Sequence, residues 1–236
     1  MEAIDSDAVL GSAGTSDRRP RSCDRCCLQG SASCRCRRTH WLWQDHFGHE
    51  LAAVLRSRGR STARASFDDF KHPWRHSRLH GYDRTSGAGY YRNAYDHGSA
   101  IALLLEPAAD AGSGTVVLCA HDPLTGQDHR DVTVQLRADT VLIVDSVFAL
   151  RPEYAHFWDY TIWLEVDADV ALQRGIGRDL EREGQDEAER LYRDRYRVAE
   201  KVYLAEVNVL SCADAVVDNT DLERPAVLRL AHTPEQ

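Results

Sequence analysis

The sequence lacks any apolar run that approaches the length of a membrane-spanning helix. It also lacks an excess of positive charge, since 29 Lys and Arg face 37 Asp and Glu and give a net charge of −8, which argues against a general nucleic-acid-binding surface. Its N-terminus has no basic start followed by an apolar core, so it predicts no secretory signal, and residues 1–22 are typical of a disordered leader. The odd count of seven cysteines argues against a disulfide scaffold. We therefore expect a cytoplasmic protein that needs neither a membrane nor nucleic acid.

Five of the seven cysteines cluster between Cys23 and Cys36. The pairs Cys23/Cys26 and Cys34/Cys36 could supply four thiolates to Zn²⁺, which takes four such ligands in structural sites. The second pair has the spacing C-x-C, however, and not the usual C-x-x-C of a zinc knuckle. A zinc site is therefore one interpretation of this stretch, and a second one is given below.

Apolar segments that alternate between strand and helix patterns follow from Glu50 onward, and they predict a parallel sheet with helical crossovers in a domain at 50–225 with a tail at 226–236. The run Val141–Val144 is typical of a parallel strand that is buried on both faces. The predicted elements begin with a helix at 50–60, a strand at 61–70, a long loop at 72–99, a helix at 100–107 and a hairpin at 115–136 with Pro123 and Gly126 in its turn. They continue with strands at 138–150, 160–167 and 213–221, the last of these closing the sheet, and with a helical region at 168–210 broken at Gly175, Gly177 and Gly184.

Charged side chains stand where such a sheet would bind a ligand. Asp68 and Asp145 each end a predicted strand, and ligands gather at the carboxyl ends of parallel strands. Either acid could instead be a helix N-cap or a turn residue. Arg174 and Arg178 are four residues apart and share a helix face, which suits a mobile phosphate clamp or, alternatively, a solvated surface.

The segments ASFDDF, YYRNAYDH, CAHD, VLIVDSVFAL, LQRGIGRD, RYRVAEKVYL and ADAVVDNTD occur in the order seen in uridine kinase-like proteins, a group of P-loop nucleoside kinases related to phosphoribulokinase. The likeness covers about residues 50–221 and depends on the ordered set of segments, since no single motif is decisive. This resemblance implies an α/β fold of the P-loop NTPase type, with a doubly wound parallel sheet, a lid helix and a small hairpin on the nucleoside side.

The resemblance also implies roles for individual residues. Asp68 matches the acid that accepts the proton of a nucleoside 5′-hydroxyl, and Asp96 matches the acid that holds the ribose 2′- and 3′-hydroxyls. Tyr95 and His121 match positions that border the base. Two further aromatic residues are expected either to line this pocket or to pack in the core: Phe70 and Tyr91.

On the ATP side, Asp145 matches the acid at the Walker B position, which orients Mg²⁺ or its water shell. Arg174 and Arg178 match lid arginines that neutralise charge on the transferred phosphoryl group. The expected function is therefore ATP- and Mg²⁺-dependent phosphorylation of a nucleoside, uridine or cytidine. The alternatives are a related kinase that acts on pantothenate or a sugar phosphate, or a catalytically dead binding protein.

The sequence departs from the family pattern at three places. Ser146 follows the Walker B acid where the family has Gly, and Pro123 stands where the family has Arg. The third departure is larger, because no GxxxxGKT or GxxxxGKS occurs anywhere in the chain. The Walker A loop is expected just before the helix at 50–60, but that place is occupied by Trp41, Leu42, Trp43, Gln44, Asp45 and His46.

The genetic code offers an explanation for this absence. Read one base forward, Trp41 followed by Leu42 forces Gly, and Trp43 followed by Gln44 forces a second Gly. The next codons allow Lys, Thr and Thr, and Arg38 followed by Thr39 allows the first Gly of the motif. The shifted frame therefore permits GxxGxGKTT, a loop whose backbone N–H groups hold phosphates at a helix N-terminus.

We therefore interpret residues 23–49 as the product of two compensating frame slips, one before about Cys23 and one near His49 or Glu50, as sequencing errors or a lesion in the gene. Bases at codons 15 to 55 that cannot encode GKT in the next frame would refute this interpretation. Stoichiometric zinc in the purified protein would favour the zinc site instead.

Overall fold

A computed structural model of the protein describes residues 43–73, 83, 85–122 and 125–231, with side chains described from His46 onward. These residues form two compact units that meet at Val147 and Phe148 in the sequence. The Cys23–Leu42 stretch, and with it the proposed zinc ligands, lies outside the described residues, as do Pro123 and the leader. No helix among the described residues is long and apolar enough to cross a membrane.

The first unit is built on a parallel pair of strands, β1 (Thr62–Ser66) and β4 (Val141–Asp145). The register joins Thr62 to Val141 at one end and Ser66 to Asp145 at the other, so both strands end at the same edge. Helix α1 (Trp43–Ser57) packs against both strands and buries Ala52 and Leu55, as the apolar face of the predicted helix required.

Three sequence predictions for this unit need correction. Helix α1 begins at Trp43 and not at Glu50, so it continues back through the Trp/His stretch. Strand β4 is half-buried along its whole length and not buried on both faces, because the sheet that the structure describes here has two strands. The predicted long loop contains a helix, α2 (Gly87–Asn93), because the Ser86 hydroxyl caps it by accepting from the Gly89 amide at 3.0 Å.

The remaining elements of the first unit agree more closely with the predictions. A 3₁₀ turn (Phe67–Phe70) follows β1, and the predicted helix near Ala100 appears as α3 (His97–Ala100), a π-helical turn (Ile101–Leu105) and α4 (Glu106–Ala108). The predicted hairpin is present as an antiparallel pair, β2 (Thr115–Val116) with β3 (Val134–Gln135).

The second unit holds a three-stranded sheet in the order β5 (Ile162–Glu165), β6 (Ala215–Asp218), β7 (Ala226–Leu230). The pair β5–β6 is parallel, as predicted, and β7 is antiparallel to β6. Strand β6 therefore does not close the chain, because residues 226–230, expected in a tail, form a further strand that pairs with it.

Helices join β5 to β6 in this unit. They are α5 (Ala168–Glu183), α6 (Gln185–Leu191), a π-helical turn (Tyr192–Tyr196), α7 (Arg197–Glu206) and α8 (Val209–Cys212). The predicted breaks at Gly175 and Gly177 are wrong, because α5 continues through both residues. Of the three glycines only Gly184 ends a helix, with a positive φ of 83°. Gly175 instead allows close packing, since a Cβ there would lie 2.5 Å from the Tyr192 ring.

Candidate active site

The carboxyl ends of β1 and β4 bring two of the predicted site residues to one edge of the sheet. Asp145 is the last residue of β4 and lies opposite Ser66, the last residue of β1. Asp68 follows two residues later in the 3₁₀ turn, where its amide donates to the Ser66 hydroxyl at 3.3 Å. Ser66, and not Asp68, is therefore the N-cap, which leaves the Asp68 carboxylate to make longer-range contacts.

Two side chains bind the same oxygen of Asp68. The Lys71 ammonium lies 2.9 Å from Oδ1, and the Tyr95 hydroxyl donates to Oδ1 at 3.1 Å. The Lys71 nitrogen also lies 5.4 Å from the centre of the Tyr90 ring and 5.1 Å from that of Tyr95, within cation–π range. Asp68 is 24% exposed, so its carboxylate is held from inside the protein yet reaches the surface.

Electrostatics keep this cluster in defined protonation states. Burial opposes the charge on Lys71, but attraction to Asp68, together with the Tyr90 phenol, outweighs it and raises the pKa of Lys71 above its usual value. Burial, followed by the charge of Asp68, raises the pKa of Tyr95 well above its usual value. Lys71 is therefore a cation and Tyr95 a neutral hydrogen-bond donor throughout the physiological pH range.

Backbone pairing between two distant segments assembles this cluster. The Asp96 amide donates to the Phe70 carbonyl at 2.8 Å, and the His72 amide donates to the Ala94 carbonyl at 3.0 Å. Lys71 and Tyr95 are therefore directly opposite each other across an antiparallel bridge. The pairing brings the segments that carry Asp68 and Asp96, which are far apart in sequence, next to each other.

Asp96 is the N-cap of α3. Its Oδ1 accepts from the Ser99 amide at 3.0 Å, and its Oδ2 accepts from the Ser99 hydroxyl at 2.7 Å. The His72 Nδ1 atom lies 3.9 Å from Oδ2. Burial acts to raise the pKa of Asp96, but the two bonds from Ser99, helped by His72 and His121, outweigh burial and lower it below its ordinary value. Asp96 is thus an ionised acceptor as well as a capping residue.

The aromatic candidates differ in how accessible they are. Phe70 and Tyr91 are 0% and 1% exposed, so both pack in the core in this structure. Tyr95 is 3% exposed and His121 is 8% exposed. The His121 amide donates to the Asp69 carbonyl at 2.9 Å, which fixes the His121 backbone next to the 3₁₀ turn.

An open cleft of about 750 Å³ is lined in part by Ser99, the residue that donates two hydrogen bonds to Asp96. Gly98 and Ser99 from α3 form one part of its lining, and Arg130 and Asp131 from the hairpin form another. Arg130 is held by Asp128 at 2.6 Å. The cleft gives a ligand room next to Ser99 and the hairpin, which is the element that the resemblance placed on the nucleoside side.

Asp145 is engaged by an arginine that the sequence did not single out. The Arg64 Nη2 atom lies 2.7 Å from Asp145 Oδ1, and the two side chains are 17% and 10% exposed. Gly48 of α1 makes room for this guanidinium, because a Cβ there would lie 2.9 Å from Nη2. The expected Mg²⁺ acid therefore already has a counter-ion.

Asp145 nevertheless suits Mg²⁺ by its chemistry, because proteins hold this ion with one or two carboxylates and leave the other positions to substrate phosphates and water. Among the described residues, no group of three or more His, Cys, Asp or Glu side chains could hold a metal by itself. A cation at Asp145 would thus take most of its ligands from a nucleotide.

The second unit contains the two predicted lid arginines, both on α5. Arg174 donates to the carbonyl of Asn219 at 3.0 Å and to that of Thr220 at 2.5 Å. Arg178 binds the buried Asp179 carboxylate at 2.7 Å and lies 5.2 Å from the centre of the Tyr196 ring. Both guanidinium groups therefore have partners inside their own unit.

The sequence did not point to Lys71, Arg64 or Ser99. Lys71 has a local signal, because it lies three residues after Asp68, the spacing of an ion pair on one turn. For Arg64 the sequence gives only the alternating pattern of a strand. Its partner Asp145 is 81 residues away in the sequence, so no local pattern predicts their contact. Of the expected Walker A residues, Trp41 and Leu42 lie outside the described residues, and Trp43, Gln44, Asp45 and His46 form the first turn of α1.

No family model matches the chain, but curated proteins do. Uridine kinases from Staphylococcus aureus strains JH9 and Newman are each 29% identical to it over 93 residues. The match covers 38% of this chain and 45% of the relatives, so the chain spans about half the length of the curated relatives it matches.

Solved structures extend the likeness. A possible uridine kinase from Bacillus stearothermophilus superimposes with a TM-score of 0.55 at 23% identity, covering 73% of this chain and 80% of that one. The chain has the fold of the uridine kinase-like P-loop kinases. A structure provisionally assigned as a fructose transport system kinase from Silicibacter sp. TM1040 gives a TM-score of 0.51 at 18% identity, over 67% and 77% of the two chains. The predicted resemblance and the predicted α/β fold class are thereby confirmed.

Proposed function

We propose that the protein transfers the γ-phosphoryl group of ATP to the 5′-hydroxyl of a nucleoside, uridine or cytidine, in the cytoplasm. The observation that carries the proposal is the position of Asp68. Its carboxylate lies just beyond the carboxyl end of β1, is bound by Lys71 and Tyr95, and is 24% exposed. A fixed, ionised and accessible carboxylate at this edge of a kinase fold suits the orientation of an acceptor hydroxyl.

The acceptor would bind across the first unit. Asp68 accepts the hydrogen bond and then the proton of the 5′-hydroxyl. Asp96 binds the ribose 2′- and 3′-hydroxyls, because each carboxylate oxygen can accept more than the one bond that Ser99 supplies. Tyr95 and His121 border the base. These four residues come from three parts of the chain that the backbone contacts of the 3₁₀ turn bring together.

ATP with Mg²⁺ supplies the phosphoryl group and neutralises much of its charge, so the protein provides mainly positioning and electrostatic stabilisation. Asp145 would orient the ion or its water shell after exchanging its contact with Arg64. Arg174 and Arg178 would bind the phosphoryl oxygens after leaving their present partners, a change that suits residues of a lid.

A panel of acceptors tests this proposal. The purified full chain would be incubated with ATP, Mg²⁺ and one acceptor at a time, namely uridine, cytidine, adenosine, pantothenate or a pentose phosphate, and ADP and product would be quantified by chromatography. Formation of uridine or cytidine 5′-monophosphate above the other products supports the proposal. Preferential phosphorylation of pantothenate or a pentose phosphate would assign the protein to another branch of the same fold.

A second candidate is a nucleoside-binding protein without kinase activity. It is favoured by one observation, namely that the helix which should begin with Gly-Lys-Thr begins with Trp43, Gln44 and Asp45 in the written sequence. This second candidate predicts that the chain binds ATP poorly while it retains the acceptor site. Calorimetry with ATP and with uridine separates the two candidates, because ATP binding together with turnover would exclude the second one.

A further inference from the structure

Lys71 is a largely buried cation in the first unit, 17% exposed, and none of the predicted roles accounts for it. A buried lysine ordinarily loses its charge, because removal from water disfavours the ammonium form. Here the ammonium is retained by three groups, namely the Asp68 carboxylate at 2.9 Å and the faces of the Tyr90 and Tyr95 rings. The protein thus places a buried positive charge, that of Lys71, directly beside Asp68, the residue that should receive the acceptor's proton.

The geometry of these contacts is directional. The Lys71 nitrogen and the Tyr95 hydroxyl both bind Oδ1 of Asp68. Lys71 directly follows the 3₁₀ turn that carries Asp68, whereas Tyr95 lies on the segment that pairs with Lys71. Two donors on one oxygen fix the rotation of the carboxylate as well as its charge. A single surface ion pair would fix neither.

We propose that Lys71 is a positioning residue for the acceptor: together with Tyr95 it holds the Asp68 carboxylate ionised and oriented toward the 5′-hydroxyl. This inference rests on the proposed function. In the transfer, the hydroxyl O–H bond breaks and its proton moves to Asp68, while the new O–P bond forms and the bond to the leaving ADP oxygen breaks. Lys71 remains protonated throughout and acts only through Asp68.

The lysine content of the chain makes this inference testable. Lys71 and Lys201 are the two lysines, and Lys201 is an exposed residue of α7 in the other unit. Lys71→Met removes the ammonium group but keeps a flexible, unbranched side chain, and Lys71→Arg keeps the positive charge. Lys201→Met is the matched control. Thermal unfolding of each full-length variant shows whether it is folded.

The binding experiment compares uridine with 5′-deoxyuridine, which lacks the acceptor hydroxyl, by calorimetry. Loss of a hydrogen bond to a charged group costs about a tenfold to hundredfold change in affinity, so Lys71→Met should weaken uridine binding by that factor. It should change 5′-deoxyuridine binding by less than about threefold, since that ligand makes no bond to Asp68. Lys71→Arg should restore most of the uridine affinity, and Lys201→Met should bind both ligands as the unchanged chain does.

Three results would overturn the inference or its basis. If Lys71→Met is folded and loses affinity for both ligands equally, or for neither, Lys71 does not act through Asp68 on the hydroxyl. If Lys71→Met is unfolded, the comparison passes to Tyr95→Phe, which removes the other donor to Asp68, and equal effects on the two ligands again contradict it. If the unchanged chain binds neither ligand, the proposed function itself fails.

Discussion

The ion pair between Arg64 and Asp145 gives a prediction about the stability of the first unit. Arg64→Met leaves the Asp145 carboxylate, which is 10% exposed, without the guanidinium that lies 2.7 Å away. Removal of one partner of a fully buried pair costs about 3 to 5 kcal/mol, and the partial exposure of both side chains reduces the expected cost to about 2 to 3 kcal/mol. Asp145→Asn should cost less, because the amide can still accept a hydrogen bond from Arg64.

Hydrogen exchange measured by mass spectrometry suits this test, since peptides that cover β1 and β4 report the opening of the first unit alone. The double variant should be less destabilised than the sum of the two single variants, by a coupling energy of about 1 to 3 kcal/mol. Arg60→Met, at an exposed arginine after α1, is the matched control and should change the opening free energy by less than about 0.5 kcal/mol. A coupling energy near zero would show that the pair does not hold the two strand ends together.

Two further predictions concern packing and pH. Gly175→Ala should destabilise the second unit by about 1 to 3 kcal/mol, because its Cβ would lie 2.5 Å from the Tyr192 ring. Gly177→Ala should stabilise the unit by about 0.5 to 1 kcal/mol, because a Cβ there would have nothing within 4 Å and alanine favours a helix. Urea unfolding that ranks the two variants in the opposite order would contradict this prediction. The lowered pKa of Asp96 means that its contribution to stability is present above its ordinary value of 3.8 and is lost as the pH falls through the lower folded value. Asp96→Asn should therefore flatten the acid limb of a stability–pH curve, and an unchanged acid limb would count against the assignment.

The edge of the sheet that holds the site could be predicted from the sequence. Apolar strand patterns that are followed by Asp68 and Asp145 are local, and the parallel register places Asp145 opposite Ser66, two residues before Asp68. The contacts of the Asp68 carboxylate with Lys71 and Tyr95 could not all be predicted. Tyr95 reaches Asp68 and Lys71 only because the segment at 70–72 pairs with the segment at 94–96.

Helix α5, the predicted lid helix, shows the same division between local patterns and tertiary contacts in the second unit. The shared face of Arg174 and Arg178 follows from helical spacing, and α5 is present where the sequence predicted a helix. The bonds from Arg174 to the carbonyls of Asn219 and Thr220 arise from tertiary packing, which no local pattern contains. The predicted helix break at Gly175 was wrong, because this glycine allows close packing against Tyr192 within a continuous helix.

The central claim is that this fold phosphorylates a nucleoside 5′-hydroxyl through Asp68. The direct test uses a chain that carries Arg38→Gly, Trp41→Gly, Trp43→Gly, Gln44→Lys, Asp45→Thr and His46→Thr, which restores GxxGxGKTT.

Turnover of ATP with uridine is then compared between this restored chain, its Asp68→Asn variant and its Asp69→Asn variant, with ³¹P NMR identifying the product. The account predicts uridine 5′-monophosphate from the restored chain, a loss of about 10²- to 10⁴-fold in kcat for Asp68→Asn with ATP binding retained, and little change for Asp69→Asn. Restored ATP binding without uridine phosphorylation, or equal activity in the two aspartate variants, would contradict it.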